Sequence, residues 1–462
     1  MDGAPLAFAA SQRGMNEHMN QLNSYGVGSG GPAAPSIHDV AGLETLLRYL
    51  LILSTATIPL LVPPFPGNSV AVDLVNLALI GFGALWIAPR EVRLPLLVPV
   101  FMIVVGGFIG TTQSADAGRS LLALAQDIYL FALFIIVFNL LLQDHSGRIG
   151  RAIASTWSMV GIASGALVWF CGAVGLDYFL GARMVDPYGR AHGPLRDPNM
   201  AGVYLVMSLF VMWMSPWPRR VPTKLVASVP FILGIQATKS NTALFTLLGG
   251  AIAVWAMTLI ARRRSRPERL SMTVVLTGVI ALFVLLLPDV AGLADRSVHA
   301  LGDTSLFKGS LGRIDNSTGP RIDRWAESLA LFRSELAVGI GPSATNEWLE
   351  AIHARIGGEI HSDYVAGFLE RGVLGGIGNL LLLGSLLLWT LRLAFDDRLR
   401  REGWFPAAAL GATVALLMAA NALETLHFRH TWMFAALVIW LQMSSKERAE
   451  SEQPSLRRSP VP

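Results

Sequence analysis

The sequence predicts an all-α fold, a polytopic transmembrane helical bundle of about twelve spans with one large outer loop that carries an amphipathic helix. Three observations predict it. The 462-residue chain is 53% hydrophobic and only 15% charged, where an ordinary soluble domain holds roughly 25% charged residues, and its mean hydropathy is +0.51. Apolar runs recur along nearly the whole chain, long enough for helices to cross a bilayer and longer than the ~10-residue alternating strands of a membrane barrel. Between them, basic clusters fall on every second connection, which is how helical spans record their orientation.

Residues 1–42 are rich in Gly, Ser and Asn and lack the apolar core of a signal peptide, so they read as a flexible cytoplasmic tail. Residues 43–288 hold the first nine spans, expected near 44–63, 70–88, 94–111, 120–142, 152–174, 200–215, 223–237, 242–261 and 271–288. Residues 289–361 form the large outer loop, 362–443 hold spans near 372–394, 404–424 and 428–443, and 444–462 form a second cytoplasmic tail. With the N-terminus inside, the inner loops are PREVR, QDHSGRIGR, PWPRRVPTK, RRRSRPER and DDRLRREG, all rich in Arg or Lys. The short outer loops PFPGN, TTQSADAG, TKSN and ETLHF are poorer in positive charge. Within the large loop, PRIDRWAESLALFRSELA (320–337) places Ile322, Trp325, Leu329 and Phe332 on one face of a surface helix.

Several chemistries are set aside. The single cysteine, Cys171, sits in an apolar run, so an intrachain disulfide or thiolate zinc site is excluded. The sequence pI is near 9.4, but its basic residues mark topology and do not form a nucleic-acid surface. Phosphate-cradling GxxxxGK[ST] and GxGxxG elements, an HExxH helix and a GxSxG elbow are all missing. No metal site and no cofactor is expected.

Charge gathers on three outer segments. In GRAHGPLRDPNMAG (189–202), Arg190 and Arg196 flank a Gly- and Pro-punctuated turn and Asn199 is a candidate cap for the next span; Arg196 also suits a lipid headgroup contact. In ATKSNTALF (237–245), Lys239 either binds substrate or snorkels to headgroups, and Ser240 or Asn241 caps the following span. In the third segment, Arg321 and Arg324 lie near a helix start where positive charge is disfavoured, so an anion nearby is expected, either Asp323, Glu327 or a ligand. His361, Asp363 and Glu370 follow in EIHSDYVAGFLERGVLG (359–375), where His361 can move a proton near neutral pH or simply pack at a helix start. Cations and one imidazole gathered outside a membrane suit a polyanionic, lipid-linked diphosphate. Asp73 and Asp127 are the main acids inside spans, too few for a transporter's relay, and read as bundle-internal hydrogen-bonding groups whose loss matters less than that of Arg321.

Together these motifs resemble the O-antigen ligase and polysaccharide polymerase superfamily. The resemblance rests on R-x-x-G-x-x-x-x-P-N (Arg190, Gly193, Pro198, Asn199), the T-x-S turn, Arg321 four residues before Trp325, GIGPS, and His361 followed by E-x-G-x-x-G at Glu370, Gly372 and Gly375. It implies a metal-independent, inverting glycosyltransferase that takes a glycan from undecaprenyl diphosphate on the periplasmic face of the bacterial inner membrane. His361, Arg321 and Arg190 would carry catalysis. Lys239, Asn241, Arg196, Asn199, Arg324, Asp363 and Glu370 would bind substrate. The usual S-R-G after the turn is here Ser240, Asn241 and Thr242, with Lys239 next to it, and HSDY is closer to exopolysaccharide polymerases than to ligases. Polymerisation of lipid-linked repeat units is therefore the expected activity, with ligation onto lipid A core or another acceptor as the alternative and lipid-linked glycan transport as a more distant one. Export and chain-length proteins are the partners implied, with no nucleic acid.

Overall fold

The computed structural model describes residues 37–61, 70–87, 90–179, 181–260, 337–345 and 361–456. The expected span at 271–288, residues 320–336 of the expected amphipathic helix with Arg321 and Arg324, most of the N-terminal tail and residues 457–462 lie outside these residues.

The described chain is helical almost throughout. Its helices are α1 (Ile37–Thr57), α2 (Ala71–Ile87), α3 (Leu97–Thr111), α4 (Ala117–Gln143), α5 (Arg148–Val174), α6 (Pro198–Met214), α7 (Val221–Thr238) and α8 (Asn241–Ile260). After the undescribed stretch come α9 (Asp363–Ala394), the short α10 (Asp397–Arg401), α11 (Ala407–Ala419), a 3₁₀ turn (Thr425–His427) and α12 (Arg429–Leu456). Two-residue strands, β1 (Tyr178–Phe179) and β2 (Ala182–Arg183), pair antiparallel between α5 and α6, with Tyr178 opposite Arg183. Among the described residues five helices, α4, α5, α7, α8 and α9, are long and apolar enough to cross a membrane, while α2, α3, α6 and α11 are apolar but shorter.

Side-chain size sets the packing. α6 is buried nearly all round, as expected of a helix without a polar face, and α5, α7, α8 and α11 surround it. Close approaches rely on glycine. A Cβ at Gly165 would lie 2.6 Å from the Pro230 carbonyl oxygen, which lets α5 and α7 cross backbone to backbone. The tightest seam joins α3 to α9, where a Cβ at Gly106 would meet the Arg371 carbonyl oxygen at 2.5 Å.

α9 is two helices joined at a kink. At Gly372 the backbone takes φ 64 and ψ −171, a region open essentially to glycine alone. The break frees the carbonyls of Leu369 and Glu370, and the GIGPS segment supplies their donors: Ile340 N–H to Leu369 O at 3.0 Å and Gly341 N–H to Glu370 O at 2.9 Å. The two sequence motifs are therefore halves of one device, a broken helix and the loop that satisfies it. Gly372→Ala combines a forbidden backbone with a Cβ 2.6 Å from the Ala337 carbonyl oxygen, so a loss of roughly 1–3 kcal/mol or more is expected. A lowered thermal midpoint of the purified protein in detergent checks this, with Gly384→Ala, where the added Cβ meets nothing, as the control.

Candidate functional site

One end of the bundle holds a cavity of about 860 Å³, within the range of small-molecule sites. Its walls come from segment ends: Ile58 and Leu61 after α1, Val70 and Asp73 at α2, Arg119 and Tyr129 on α4, Arg196 and Asp197 before α6, Ser343 and Thr345 from the GIGPS segment, His361 and Glu370 at α9, and residues 423–430. These are the connections that the basic-residue pattern assigns to the outer face. Part of the lining is apolar, with Leu77, Leu122, Leu130 and Met200 beside the charged groups.

Local rules place the side chains. In RDPN, Asp197 is the cap of α6, accepting from the N–H groups of Asn199 at 2.8 Å and Met200 at 3.0 Å, with Pro198 as the first helical residue. The sequence reading gave that role to Asn199. Once Asp197 caps the helix, the Asn199 amide oxygen is free to accept from Arg190 Nη2 at 2.8 Å and Ser240 Oγ at 2.9 Å. Arg190 also donates through Nε to the Thr238 carbonyl at 3.2 Å and lies 3.9 Å from Asp186. RAHGPLRDPN and TKSN thus meet in a polar cluster beside the cavity. Ser240 caps α8, accepting from Ala243 N–H at 3.3 Å, Lys239 sits left-handed at the end of α7 with φ 49, and Asn241 starts α8 with its Oδ1 buried and without a hydrogen-bond partner among the described residues.

Of the other expected site residues, Arg196, His361 and Glu370 line the cavity. Asp363 is turned inward: its carboxylate accepts from Thr425 N–H at 2.8 Å and Thr425 Oγ1 at 2.5 Å, clamping the 3₁₀ turn to the start of α9. Arg321 and Arg324 lie outside the described residues. Among the described residues no group of three or more His, Cys, Asp and Glu side chains is placed to hold a metal ion.

A network missed by sequence reasoning joins the cavity to the bundle. Arg371 Nη2 lies 2.6 Å from Asp127 Oδ2, with both side chains almost fully buried. Asp127 Oδ1 is 3.4 Å from Nε2 of His427, whose Nδ1 is 2.9 Å from Glu424 Oε2. Glu370 accepts from Thr345 Oγ1 at 2.7 Å. A second network pairs Asp73 with Arg429 through Nε at 2.6 Å and Nη2 at 2.5 Å, and runs on through Tyr129 and Asn76 to Ser54. One signal was present: acids inside spans demand cations, and Arg371 and Arg429 stand at span ends. Burial works against charge on His427, but hydrogen bonds to Asp127 and Glu424 outweigh it and hold the imidazolium well above its usual range. Burial also opposes charge on Glu424, and the hydrogen bond and charge of His427, with Arg371 and His361 behind them, pull its carboxyl down.

Residues 226–380 match a family model described as O-antigen ligase. Over this stretch the match agrees with the resemblance that the motifs carry. It covers about a third of the 462 residues, from α7 through the T-x-S turn and α8 to the broken helix α9, and so includes His361, Glu370 and Arg371 of the cavity side. A comparison with curated proteins gives no match. Arg371, inside the matched stretch, is tied by its ion pair to Asp127, outside it, and through Asp127 to His427 and Glu424.

Asp127 thus bonds within the bundle, as an ion pair with Arg371. Asp127→Asn leaves Arg371 buried and poorly paired, and a destabilisation of roughly 3–5 kcal/mol is expected. The double variant Asp127→Leu, Arg371→Met should recover much of the thermal midpoint that Asp127→Asn loses. The sign for His427 is opposite to that for Glu424. The raised imidazolium stabilises the fold below its unfolded pKa near ~6.5 and loses that contribution as pH rises through the folded value. The lowered Glu424 contributes above its unfolded value of ~4.3 and loses it as pH falls through the folded one. The thermal midpoint of the wild type should therefore fall on the alkaline side, and His427→Gln should flatten that limb.

Proposed function

We propose that this chain is a periplasm-facing glycosyltransferase of the bacterial inner membrane that polymerises oligosaccharide repeat units carried on undecaprenyl diphosphate. The observation that carries the reading is the cavity, which sets apolar wall, arginines, imidazoles and carboxylates side by side at one end of a membrane bundle. An apolar wall suits the prenyl chain. Arg119, Arg196 and Arg429 suit the diphosphate, whose negative charge grows as the sugar–phosphate bond breaks and is stabilised by prepositioned guanidinium groups. His361 faces the same space and suits the acceptor sugar. The Arg190–Asn199–Ser240 cluster next to it fits a second contact with the carrier, and Arg321 and Arg324 extend the same role from the large loop. Lys239 and Asn241 belong beside that cluster.

A second reading draws on the description of the matched family: a ligase that transfers the finished glycan to lipid A core or another acceptor. Both share donor, leaving group and inversion at the anomeric carbon, and differ in acceptor. Complementation of a deletion strain with wild type, Arg190→Ala, Arg321→Ala and His361→Ala separates them on a gel that resolves single repeats from long chains. Each variant is expected to slow turnover about a hundredfold or more. Single repeats accumulating in the variants support the polymerase, whereas long chains left on the carrier support the ligase. Activity of the arginine variants within a few-fold of wild type would make those side chains interfacial anchors.

A further inference from the structure

Among the acidic side chains of the cavity, Glu424 combines partial exposure with an imidazole behind it. Asp73 uses both oxygens on Arg429, Tyr129 and the Val70 N–H. Asp197 is engaged at the start of α6, and Glu370 is 4% exposed and accepts from Thr345. Glu424 is fixed through one oxygen only: Oε2 lies 2.9 Å from His427 Nδ1, and Oε1 accepts no hydrogen bond from the described residues while the side chain stays 23% exposed. Behind it the imidazole is anchored by Asp127, which is in turn paired with Arg371. The result is a carboxylate in the cavity wall with one oxygen that no described residue uses, backed by a positively charged ring.

Resting on the glycosyl-transfer reading, we infer that Glu424 accepts the proton of the acceptor hydroxyl and that His427 is its positioning residue. In the step, the hydroxyl O–H bond breaks and its proton goes to Glu424 Oε1. The hydroxyl oxygen bonds to the anomeric carbon as the bond to the carrier phosphate breaks, and that electron pair leaves with the diphosphate. His361, across the same cavity, orients the acceptor. The groups that set the charge of Glu424 are His427 on its own turn, Asp127 on α4, Asp363, Glu370 and Arg371 on α9, and His361 before α9. Because the imidazolium keeps the carboxylate ionised, the base remains ready well into mild acid.

The test uses purified full-length protein in proteoliposomes, with undecaprenyl-diphosphate-linked repeat units extracted from a strain lacking this chain as the probe. Released undecaprenyl diphosphate and glycan length are both measured. E424Q is expected to lower the rate at saturating lipid about a hundredfold or more, with half-saturation by the lipid within a few-fold of wild type and the thermal midpoint retained. E424D should recover part of the rate, and it decides the matter if E424Q fails to fold. H427Q should move the acid limb of the rate–pH profile upward, since the carboxylate protonates more easily without the imidazolium; a purely structural histidine would lower the rate alike at every pH. Turnover by E424Q within a few-fold of wild type, or an unmoved acid limb in folded H427Q, overturns the assignment. A wild-type protein that releases no undecaprenyl diphosphate overturns the transfer reading itself, so the two failures are told apart.

Discussion

The break at Gly372 is the constraint on which the site depends. Inside a membrane bundle a carbonyl without a donor is costly, so a helix can stop and restart only where another segment completes its hydrogen bonds. Ile340 and Gly341 do so for Leu369 and Glu370. That docking fixes the turn that carries Glu370 and Arg371, and glycines on α3 let the turn approach its neighbour closely enough for Arg371 to reach Asp127 on α4. Asp363, two turns earlier on the same segment, holds the 425–427 turn. Backbone geometry at one glycine thus sets where four charged groups stand.

Electrostatics then sorts those groups. In a medium of low polarity, ions persist when paired and hydrogen-bonded, and the two span acids each find an arginine brought from far along the chain. Pairing exhausts Asp73 and most of Asp127. In the cavity wall stand His361 and Glu424 backed by His427, with Arg119 and Arg196 beside them. A reaction that develops negative charge on a diphosphate and releases a proton from a hydroxyl calls for those two kinds of group next to each other.

Apolar runs made the helices legible, because burial of twenty or so residues without charge leaves few alternatives to a span. The outer segments were legible as a group as well: RAHGPLRDPN and TKSN meet through Arg190, Asn199 and Ser240, and His361 and Glu370 reach one cavity. What local pattern does not encode is choice among partners. Asn199 and Asp197 are both good caps, and Pro198 decided between them by fixing which residue starts α6. Asp363 reads as a charged site residue until the backbone N–H of Thr425 comes to it from 62 residues away. Glu424 and His427 stand in a five-residue loop with nothing in the sequence beside them to show that Asp127 and Arg371 lie behind.

The long reach of those ion pairs bears on how the protein is made. Arg371 follows Asp127 by 244 positions and Arg429 follows Asp73 by 356. At a ribosomal rate of about 5–20 residues per second, Asp73 waits roughly 20 to 70 s for its arginine after it has been synthesised. Throughout that interval Asp73 sits in a nascent helix whose counter-ion does not yet exist, and for part of it Asp127 does too. The bundle is completed from its C-terminal end, and the pair between Asp73 and Arg429 is among the last of its contacts to form.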